Sequence, residues 1–211
     1  MIVSHSHRFI WVKAVKVAGT SIQKALMSFL EPGDVATTDM SRHLGADEVK
    51  ACVSDEEWDE YTKIVSIRSP WDVLVSLYHF AHEVQRFNTE GFNAPACFDD
   101  FLWWHLSSNW NNKEFWMLDG GFWADVHIRF EHLELDFSDL MSKLNFQSTE
   151  LERIDSPYDK GIPRQPRSHY SHYYSRWGKD YVAEFFQDEI EKFGYSFDHP
   201  FDVGGNWNWI R

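Results

Sequence analysis

The sequence predicts an α/β protein with three layers, in which helices cover both faces of a central parallel sheet of four or five strands. Three short apolar runs, at residues 8–15, 63–67 and 125–130, have the hydrophobicity of strands that are buried on both faces. Each run is followed by a segment with helical spacing. Strands that alternate with helices form parallel sheets, and no repeat or linker divides the chain. We therefore predict a single domain over residues 1–211.

The helices are predicted from the spacing of apolar residues and from glycine and proline. Apolar residues recur every three or four positions over residues 22–30, and Pro32 ends the run. A second helix is predicted over residues 70–87, because proline is favoured at the first helical position. Residues 155–170 contain three prolines and are predicted to form a loop. Further helices are predicted at 46–53, 55–61, 98–106 and 131–144, and a last long helix at 174–193, capped by Gly194.

The composition limits the functions that the chain can have. Hydrophobic residues make up 43% of the chain, which supports a packed core and excludes a disordered or fibrous protein. The formal net charge of −13 excludes a general nucleic-acid-binding surface, so an anionic ligand needs a local basic pocket. No apolar run approaches the roughly 20 residues that span a bilayer, and Cys52 and Cys97 form no C-x-x-C pair. We therefore expect a soluble, cytoplasmic protein without nucleic-acid or membrane partners, and the oligomeric state stays open.

The first chemical motif is KVAGTS at residues 16–21, between the first predicted strand and the first helix. Ligands of open parallel sheets bind beyond the carboxyl ends of the strands, which is where this loop is expected. Gly19 allows a sharp turn and a close approach to a ligand, while Thr20 and Ser21 start a helix whose N–H groups favour an anion. Lys16 adds a point charge. The loop lacks the G-x-x-x-x-G-K-[ST] pattern of nucleotide triphosphatases. The alternative to an anion-binding loop is a plain helix start with an exposed lysine.

The second motif, RSPWDVLVS at residues 68–76, follows the second predicted strand. Arg68 is expected beside the first loop if the two strands are neighbours, and Ser76 lies about two turns into the following helix. A guanidinium fork and a hydroxyl suit a second phosphate, held apart from the first. The alternative is an arginine paired with an acidic neighbour and a serine packed against the sheet.

Together, the two motifs resemble those of the sulfotransferases that use 3′-phosphoadenosine 5′-phosphosulfate (PAPS). Residues 16–21 resemble that family's K-x-x-G-T-S loop for the 5′-phosphosulfate, and residues 68–76 resemble its R-x-P-x-x-x-x-x-S motif for the 3′-phosphate. Val15 stands where the family usually has proline, and the sequence has nothing like the membrane anchor of the eukaryotic members. Further segments similar to the membrane-type, carbohydrate-modifying branch lie at residues 42–44, 128–137 and 172–197.

The resemblance implies a P-loop-like sulfotransferase fold and transfer of a sulfuryl group from PAPS to a hydroxyl acceptor, for which a saccharide is expected. The product nucleotide is 3′-phosphoadenosine 5′-phosphate, and no metal is implied. The residues implied to bind the 5′-phosphosulfate are Lys16, Val17, Ala18, Gly19, Thr20 and Ser21. Lys16 would also stabilise the leaving group, and Arg68 and Ser76 would bind the 3′-phosphate. Arg167, in the basic loop before the last helix, is a further expected 3′-phosphate contact, with a solvated charge run as the alternative.

His43 is the candidate general base, because it lies between the two motifs, near the place where the family often carries a catalytic histidine. An imidazole with an ordinary pKa of about 6.5 suits proton transfer at neutral pH. A surface or helix-start histidine is the alternative, and His79 and His82 are rival candidates. The tryptophan-rich segment 103–123 is interpreted either as core or as a wall that stacks against a sugar acceptor.

Two other functions stay open on the sequence. An ATP-dependent kinase of small molecules would need a triphosphate loop and magnesium ligands, and the sequence shows neither pattern. A non-catalytic member of the fold would bind the nucleotide, or only a partner protein, without turnover. A heavily sulfated polymer is disfavoured as the acceptor, because a protein with a net charge of −13 repels it.

Overall fold

The computed structural model describes residues 1–37, 43–87, 93–147, 151 and 169–198. The chain divides into two compact units, one made of Met1–Arg68 and Asn112–Ile154 and the other of Ser69–Asn111 and Asp155–Arg211. The first unit contains all the β-strands of the described chain, and every regular element described in the second unit is a helix. The single domain expected for residues 1–211 stays a prediction.

The first unit is built on a five-stranded sheet with the strand order β3-β1-β2-β4-β7. Its strands are β1 (Ile2–Ser4), β2 (Phe9–Val12), β3 (Val35–Ala36), β4 (Thr62–Ile67) and β7 (Val126–Arg129). β2 is parallel to β4, and β4 is parallel to β7. The three strands that the sequence predicts are therefore adjacent, and their carboxyl ends lie at one edge. Two further short strands, β5 (Met117–Leu118) and β6 (Gly121–Phe122), form a separate antiparallel ribbon.

The prediction of an entirely parallel sheet is wrong at one edge, because β1 is antiparallel to both β2 and β3. Only residues 5–8 separate β1 from β2. Strands joined by such a short connection pair as an antiparallel hairpin, since a parallel crossover needs a dozen or more residues. The structure is therefore an α/β protein with a mixed sheet.

Most of the predicted helices are confirmed. None of the helices in the described ranges is long and apolar enough to cross a lipid bilayer. A 3₁₀ turn (Phe130–His132) precedes α7, and a second (Tyr170–Tyr173) precedes α8. In chain order the helices are α1 (Gly19–Met27), α2 (Ala46–Lys50), α3 (Asp55–Glu60), α4 (Pro70–Phe87), α5 (Phe98–Leu106), α6 (Lys113–Trp116), α7 (Leu133–Lys143), α8 (Arg176–Phe185) and α9 (Gln187–Phe193).

One hydrophobic cluster packs a face of the sheet against short helices of the first unit. Ile10 and Val12 of β2 belong to it, as do Val49 of α2, Trp58 of α3 and Phe115 of α6. All five side chains are at least nine-tenths buried. Fully burying an aliphatic or aromatic side chain of this size contributes about 1.5–3 kcal/mol. This packing fixes the strand end from which the first motif starts.

In the second unit, α4 is held by hydrogen bonds from the residues around α8. The Tyr174 hydroxyl donates to the Trp71 carbonyl (2.8 Å), and the Trp71 indole N–H donates to the Lys179 carbonyl (3.3 Å). Gly178 of α8 packs against α5, and a Cβ there would lie 2.9 Å from Leu102 Cδ1. A side chain at residue 178 would therefore displace the two helices.

The last long helix predicted over residues 174–193 is two helices, α8 and α9, joined at Phe186. The backbone of Phe186 (φ −105°, ψ 25°) is not helical. Phe186 is only 4% exposed, and no glycine or proline marks the break, so tertiary packing decides it. Gly194 ends α9 in the left-handed conformation (φ 69°), as the sequence predicts.

The carboxylate of Asp34 ties the β1–β2 hairpin turn to the loop after α1. It accepts hydrogen bonds from the Ser4 hydroxyl (2.8 Å), the His5 N–H (2.7 Å), the Ser6 N–H (3.0 Å) and hydroxyl (2.7 Å), and the Glu31 N–H (3.1 Å). Partial burial raises the pKa of Asp34, but these hydrogen bonds outweigh it and hold the pKa well below the usual range. The ionised carboxylate therefore stabilises the fold.

We expect Asp34→Asn to lower the free energy of unfolding by about 1–3 kcal/mol at pH 7, because hydrogen bonds to a charged acceptor are lost. A carboxylate whose pKa is lower in the folded than in the unfolded protein stabilises the fold at pH values above its unfolded pKa, which is about 3.9 for aspartate. It loses that contribution as the pH falls through the folded pKa. The difference in the free energy of unfolding between wild type and variant, measured by urea titration, should therefore become smaller below about pH 4. Asp59→Asn, at an exposed position on α3, is the control, and an equal effect of both variants would contradict this role.

Candidate anion-binding site

The loop of the first motif and Arg68, the first residue of the second motif, lie side by side in the first unit. Because β2 and β4 pair in parallel, the loop that follows β2 and the arginine that follows β4 leave the sheet at the same edge. Arg68 Nη1 donates to the Lys16 carbonyl oxygen at 2.8 Å, although the two residues are 52 positions apart. The guanidinium carbon also lies 3.6 Å from the centroid of the Phe130 ring. Arg68 thus contacts a main-chain carbonyl and an aromatic ring.

The backbone of the loop alternates in handedness. Lys16 (φ 61°) and Ala18 (φ 59°) are in the left-handed region, and Val17 between them is not. Such alternation turns successive main-chain N–H groups toward a common concavity, which is a known form of anion cradle. Neither residue is glycine, and each left-handed L-residue costs roughly 1–2 kcal/mol. The sharp turn is therefore made at Lys16 and Ala18, and the expectation that Gly19 makes it is wrong, since its φ is not positive.

Gly19 is needed for a different reason. Lys13, the first residue after β2, is only 3% exposed, and its side chain passes directly under Gly19. A Cβ on Gly19 would lie 2.7 Å from Lys13 Cγ and 2.8 Å from Lys13 Cε. In the sequence, Lys13 stands within the apolar run predicted as a strand, and no role was predicted for it. A lysine in an otherwise apolar run, just before a glycine loop, was the signal that could have found it.

Asn112 is a second residue without a sequence-based prediction, and its side chain also holds the loop. The Val15 N–H donates to Asn112 Oδ1 (3.3 Å), and Asn112 Nδ2 donates to the Val15 carbonyl (3.4 Å). The amide thus pairs with both backbone groups of the residue before Lys16, as a neighbouring strand would. Asn112 is 3% exposed and 97 positions away, so no local pattern could reveal the contact.

His43 lies against the same strand end, with its Nδ1 3.0 Å from the Lys13 carbonyl oxygen. Burial is the largest cause that lowers the pKa of His43, and the charges of Lys13, the chain's amino terminus and Lys16 lower it further. The hydrogen bond to the Lys13 carbonyl opposes these effects only in part. The ring is therefore neutral at pH 7, as a general base must be.

The rival bases occupy the second unit and have structural contacts there. His79 Nε2 is hydrogen-bonded to the Tyr173 hydroxyl (2.8 Å), and the His82 ring packs edge-on against Tyr78 at 4.6 Å. Of the three candidates, only His43 belongs to the unit that carries the glycine loop.

The other predicted site residues are placed as follows. Thr20 and Ser21 are in the first turn of α1, where helical N–H groups lack an intrahelical acceptor. Ser76 is buried on α4 in the second unit (6% exposed). Arg167 lies outside the described residues. In the described ranges, no three His, Cys, Asp or Glu side chains form a group that could hold a metal ion.

The tryptophan-rich segment divides between core and surface. Trp116 is buried in the first unit (2% exposed). Trp103 and Trp104, on α5 of the second unit, are 64% and 50% exposed. The core interpretation is therefore correct for Trp116, and the exposed pair keeps the sugar-stacking interpretation as a prediction.

The first unit thus brings together a loop with two left-handed residues, the start of helix α1, the Lys16 side chain, the Arg68 guanidinium and the neutral imidazole of His43. Main-chain N–H groups and cations at one sheet edge can bind a cluster of anionic oxygens, and the imidazole can accept a proton. Comparisons of the chain with models of protein families, with curated protein sequences and with solved structures found no match.

We expect Ala18→Gly to raise the free energy of unfolding by about 0.5–1.5 kcal/mol, because glycine adopts the left-handed conformation without strain. The matched control is Ala25→Gly, in the right-handed helix α1, where glycine should lower the free energy of unfolding by about 1 kcal/mol. Urea denaturation measures both. A loss of stability of the same size in both variants would contradict the strained turn at residue 18.

Proposed function

We propose that this chain is a PAPS-dependent sulfotransferase, which transfers a sulfuryl group to a hydroxyl acceptor. The observation that carries the proposal is the contact between Arg68 and the loop at Lys16. PAPS has two anionic groups on one ribose, the 5′-phosphosulfate and the 3′-phosphate. A donor of this shape needs two neighbouring cationic sites, and the loop and the guanidinium meet that requirement.

The proposed fold is the three-layer, P-loop-like fold of that family. The parallel strands β2, β4 and β7 support it, because the loop leaves β2 at its carboxyl end and leads directly into α1. This is the position at which open α/β sheets bind ligands. The antiparallel edge formed by β1 and β3 is compatible with such a fold, since mixed sheets are common among large α/β sheets.

In the proposed complex, main-chain N–H groups of residues 17–21 bind the 5′-phosphosulfate. Lys16 supplies positive charge beside the oxygen that bridges sulfur and phosphorus. Arg68 binds the 3′-phosphate, and the family resemblance assigns Ser76 and Arg167 to the same group. The Arg68–Lys16 hydrogen bond supports a coupled arrangement, because the arginine that would bind one phosphate also fixes the loop that would bind the other.

The proposed reaction is an in-line displacement at sulfur. The acceptor oxygen forms a bond to sulfur, and the bond from sulfur to the bridging oxygen breaks with its electron pair on the phosphate. His43 takes the proton of the acceptor hydroxyl, so 3′-phosphoadenosine 5′-phosphate leaves with its charge stabilised by Lys16. Positioning and charge stabilisation supply most of the catalysis in group transfers of this type. The lowered pKa of His43 supports its role, since the neutral ring is the form present at pH 7.

The proposed acceptor is a saccharide hydroxyl, after the branch that the sequence resembles. The exposed pair Trp103 and Trp104 supports this class, because aromatic rings pack well against sugar faces. The net charge of −13 favours a neutral or weakly charged saccharide over a heavily sulfated polymer. A cytoplasmic location is part of the proposal.

The central experiment measures nucleotide binding and transfer in the same preparation. We expect calorimetric binding of 3′-phosphoadenosine 5′-phosphate without metal, and transfer of ³⁵S from labelled PAPS to at least one member of a saccharide panel. Tighter binding of ATP with magnesium would instead favour a kinase. Nucleotide binding with no transfer to any acceptor would favour a non-catalytic protein.

Lys16→Ala should lower kcat for transfer by about 10²–10³-fold, the usual loss when one preorganised charge-stabilising group is removed. Lys24→Ala, at an exposed position on α1, removes an equal charge from the same unit and is the matched control. Circular dichroism checks that both variants fold. Equal transfer rates of Lys16→Ala and wild type would remove Lys16 from the mechanism.

Arg68→Ala should weaken binding of 3′-phosphoadenosine 5′-phosphate about 10- to 100-fold more than binding of adenosine 5′-phosphate, which lacks the 3′ group. Because Arg68 also holds the loop, some loss is expected for both nucleotides, and the ratio of the two losses is the decisive quantity. Arg8→Ala, at the opposite end of β2, is the control for a lost positive charge. Equal losses for the two nucleotides would limit Arg68 to holding the loop.

A further inference from the structure

The last strand of the parallel set, β7, also ends beside the candidate site. β4 and β7 pair in parallel, and Ile67, the last residue of β4, is the register partner of Arg129, the last residue of β7. Phe130 follows Arg129 directly and therefore leaves the sheet beside Arg68, which follows Ile67. The Phe130 ring is half-buried, and its centroid lies 3.6 Å from the guanidinium carbon of Arg68. The register of the two strands thus sets this contact.

The short distance indicates that the guanidinium lies flat on the Phe130 ring. Carbon atoms in van der Waals contact are about 3.5–4.0 Å apart. At 3.6 Å, a guanidinium turned edge-on would push a nitrogen into the ring, because a carbon–nitrogen bond with partial double-bond character is about 1.3 Å long. The flat arrangement is also the favourable one, since the negative ring face attracts a cation and the planar guanidinium stacks on aromatic faces.

Two contacts therefore define the orientation of the Arg68 guanidinium. The N–H groups of a guanidinium lie in its plane, and the Phe130 ring fixes that plane. Within the plane, the hydrogen bond from Nη1 to the Lys16 carbonyl (2.8 Å) fixes the direction in which the donors point. Arg68 is 8% exposed, so water competes little with either contact. The guanidinium is thus held in one orientation before an anion binds.

The position of Phe130 is fixed in turn by the connection between β7 and α7. Phe130 begins the 3₁₀ turn that follows Arg129, and Asp136 lies on α7. The Asp136 carboxylate accepts hydrogen bonds from the main-chain N–H (2.8 Å), the Nε (2.7 Å) and the Nη2 (2.6 Å) of Arg129. A bidentate arginine–carboxylate pair adds geometric precision as well as strength, and the Asp136 side chain is only 9% exposed. A rigid turn therefore presents Phe130 to Arg68.

We propose that Phe130 is a positioning residue for Arg68, whose ring holds the guanidinium flat and so aims its donors for bidentate binding of the 3′-phosphate. The inference rests on the proposed function, in which Arg68 binds that phosphate. A guanidinium binds phosphate through two parallel N–H groups, so its affinity depends on the direction of its plane. A group that is already ordered also binds without the cost of ordering it. Phe130 thus acts through Arg68 and raises the preference for a 3′-phosphorylated nucleotide.

The direct test of the orientation is the ¹H–¹⁵N spectrum of the arginine Nε–H groups in the ¹⁵N-labelled protein. The Arg68 signal is identified by its loss in Arg68→Lys. A proton above an aromatic ring is shielded by the ring current, so the Arg68 signal should move downfield in Phe130→Leu, which has no ring. Phe130→Tyr restores a ring and should keep the signal at its wild-type position. Phe130→Met also lacks a ring and serves if Phe130→Leu does not fold.

Nucleotide binding tests the consequence of this orientation. Calorimetry gives the ratio of the Kd of adenosine 5′-phosphate to the Kd of 3′-phosphoadenosine 5′-phosphate. Phe130→Leu should lower this ratio about 3- to 10-fold, and Phe130→Tyr should restore it. In the Arg68→Ala background, Phe130→Leu should leave the ratio unchanged, because the guanidinium on which the ring acts is gone. A merely structural role of Phe130 would instead weaken the binding of both nucleotides equally, with or without Arg68.

Phe146→Leu is the matched control. Phe146 is also a half-buried phenylalanine of the first unit, but its ring packs against Phe29 and against His7, which lies just before β2. This variant should change neither the Arg68 signal nor the ratio of the two Kd values. An equal effect of Phe146→Leu, or an Arg68 signal that does not move when the ring of Phe130 is removed, would overturn the proposal.

Transfer kinetics separate the inference from the function on which it rests. If both hold, Phe130→Leu should raise KM for PAPS about 3- to 10-fold and leave kcat within about twofold, because the 3′-phosphate is bound equally in the ground state and the transition state. An unchanged Kd ratio in a Phe130→Leu protein that binds both nucleotides would overturn the positioning role alone. A wild-type protein that binds neither nucleotide would overturn the proposed function, and the Arg68 signal would still decide whether Phe130 orients the guanidinium.

Discussion

The parallel pairing of β2 with β4 is the constraint on which the candidate site depends. It brings the loop that follows β2 next to Arg68, which directly follows β4, so the Arg68 guanidinium can reach the Lys16 carbonyl at 2.8 Å. A hydrogen bond from a charged donor is stronger than one between neutral groups, and this one is largely shielded from water, since Arg68 is 8% exposed. The loop and the arginine are thus a single structural feature, and a change in either alters the other.

The loop conformation is imposed from outside the loop. Its two left-handed residues, Lys16 and Ala18, would relax in an isolated peptide, because neither is glycine. Three contacts hold it: the Asn112 amide on Val15 and the Arg68 guanidinium on Lys16, both from distant residues, and the nearby Lys13 side chain under Gly19. Strain of this kind persists only where the surroundings fix the backbone, and it occurs preferentially at binding sites.

An acidic protein concentrates cations at this edge of its sheet. The chain has a net charge of −13, yet Lys13, Lys16 and Arg68 all lie around one short loop. The same lysines that would attract an anion also lower the pKa of His43, after burial, which is the largest cause. The proposed anion site and the protonation of His43 are therefore electrostatically linked, because the same local positive charge acts on both.

The sequence by itself determined the α/β class, the existence of the three strands β2, β4 and β7, and the positions of the glycine loop and Arg68 along the chain, because these follow from local periodicity and from residues next to strand ends. Only the tertiary structure decided the antiparallel edge at β1, the break at Phe186 and the contacts of Asn112 and Lys13. The Asn112 contact joins residues 97 positions apart, and the break at Phe186 depends on packing that no local pattern records. Gly19 illustrates the difference: its place in the loop was readable from the sequence, but its reason, a buried lysine side chain 2.7 Å from where its Cβ would be, was not.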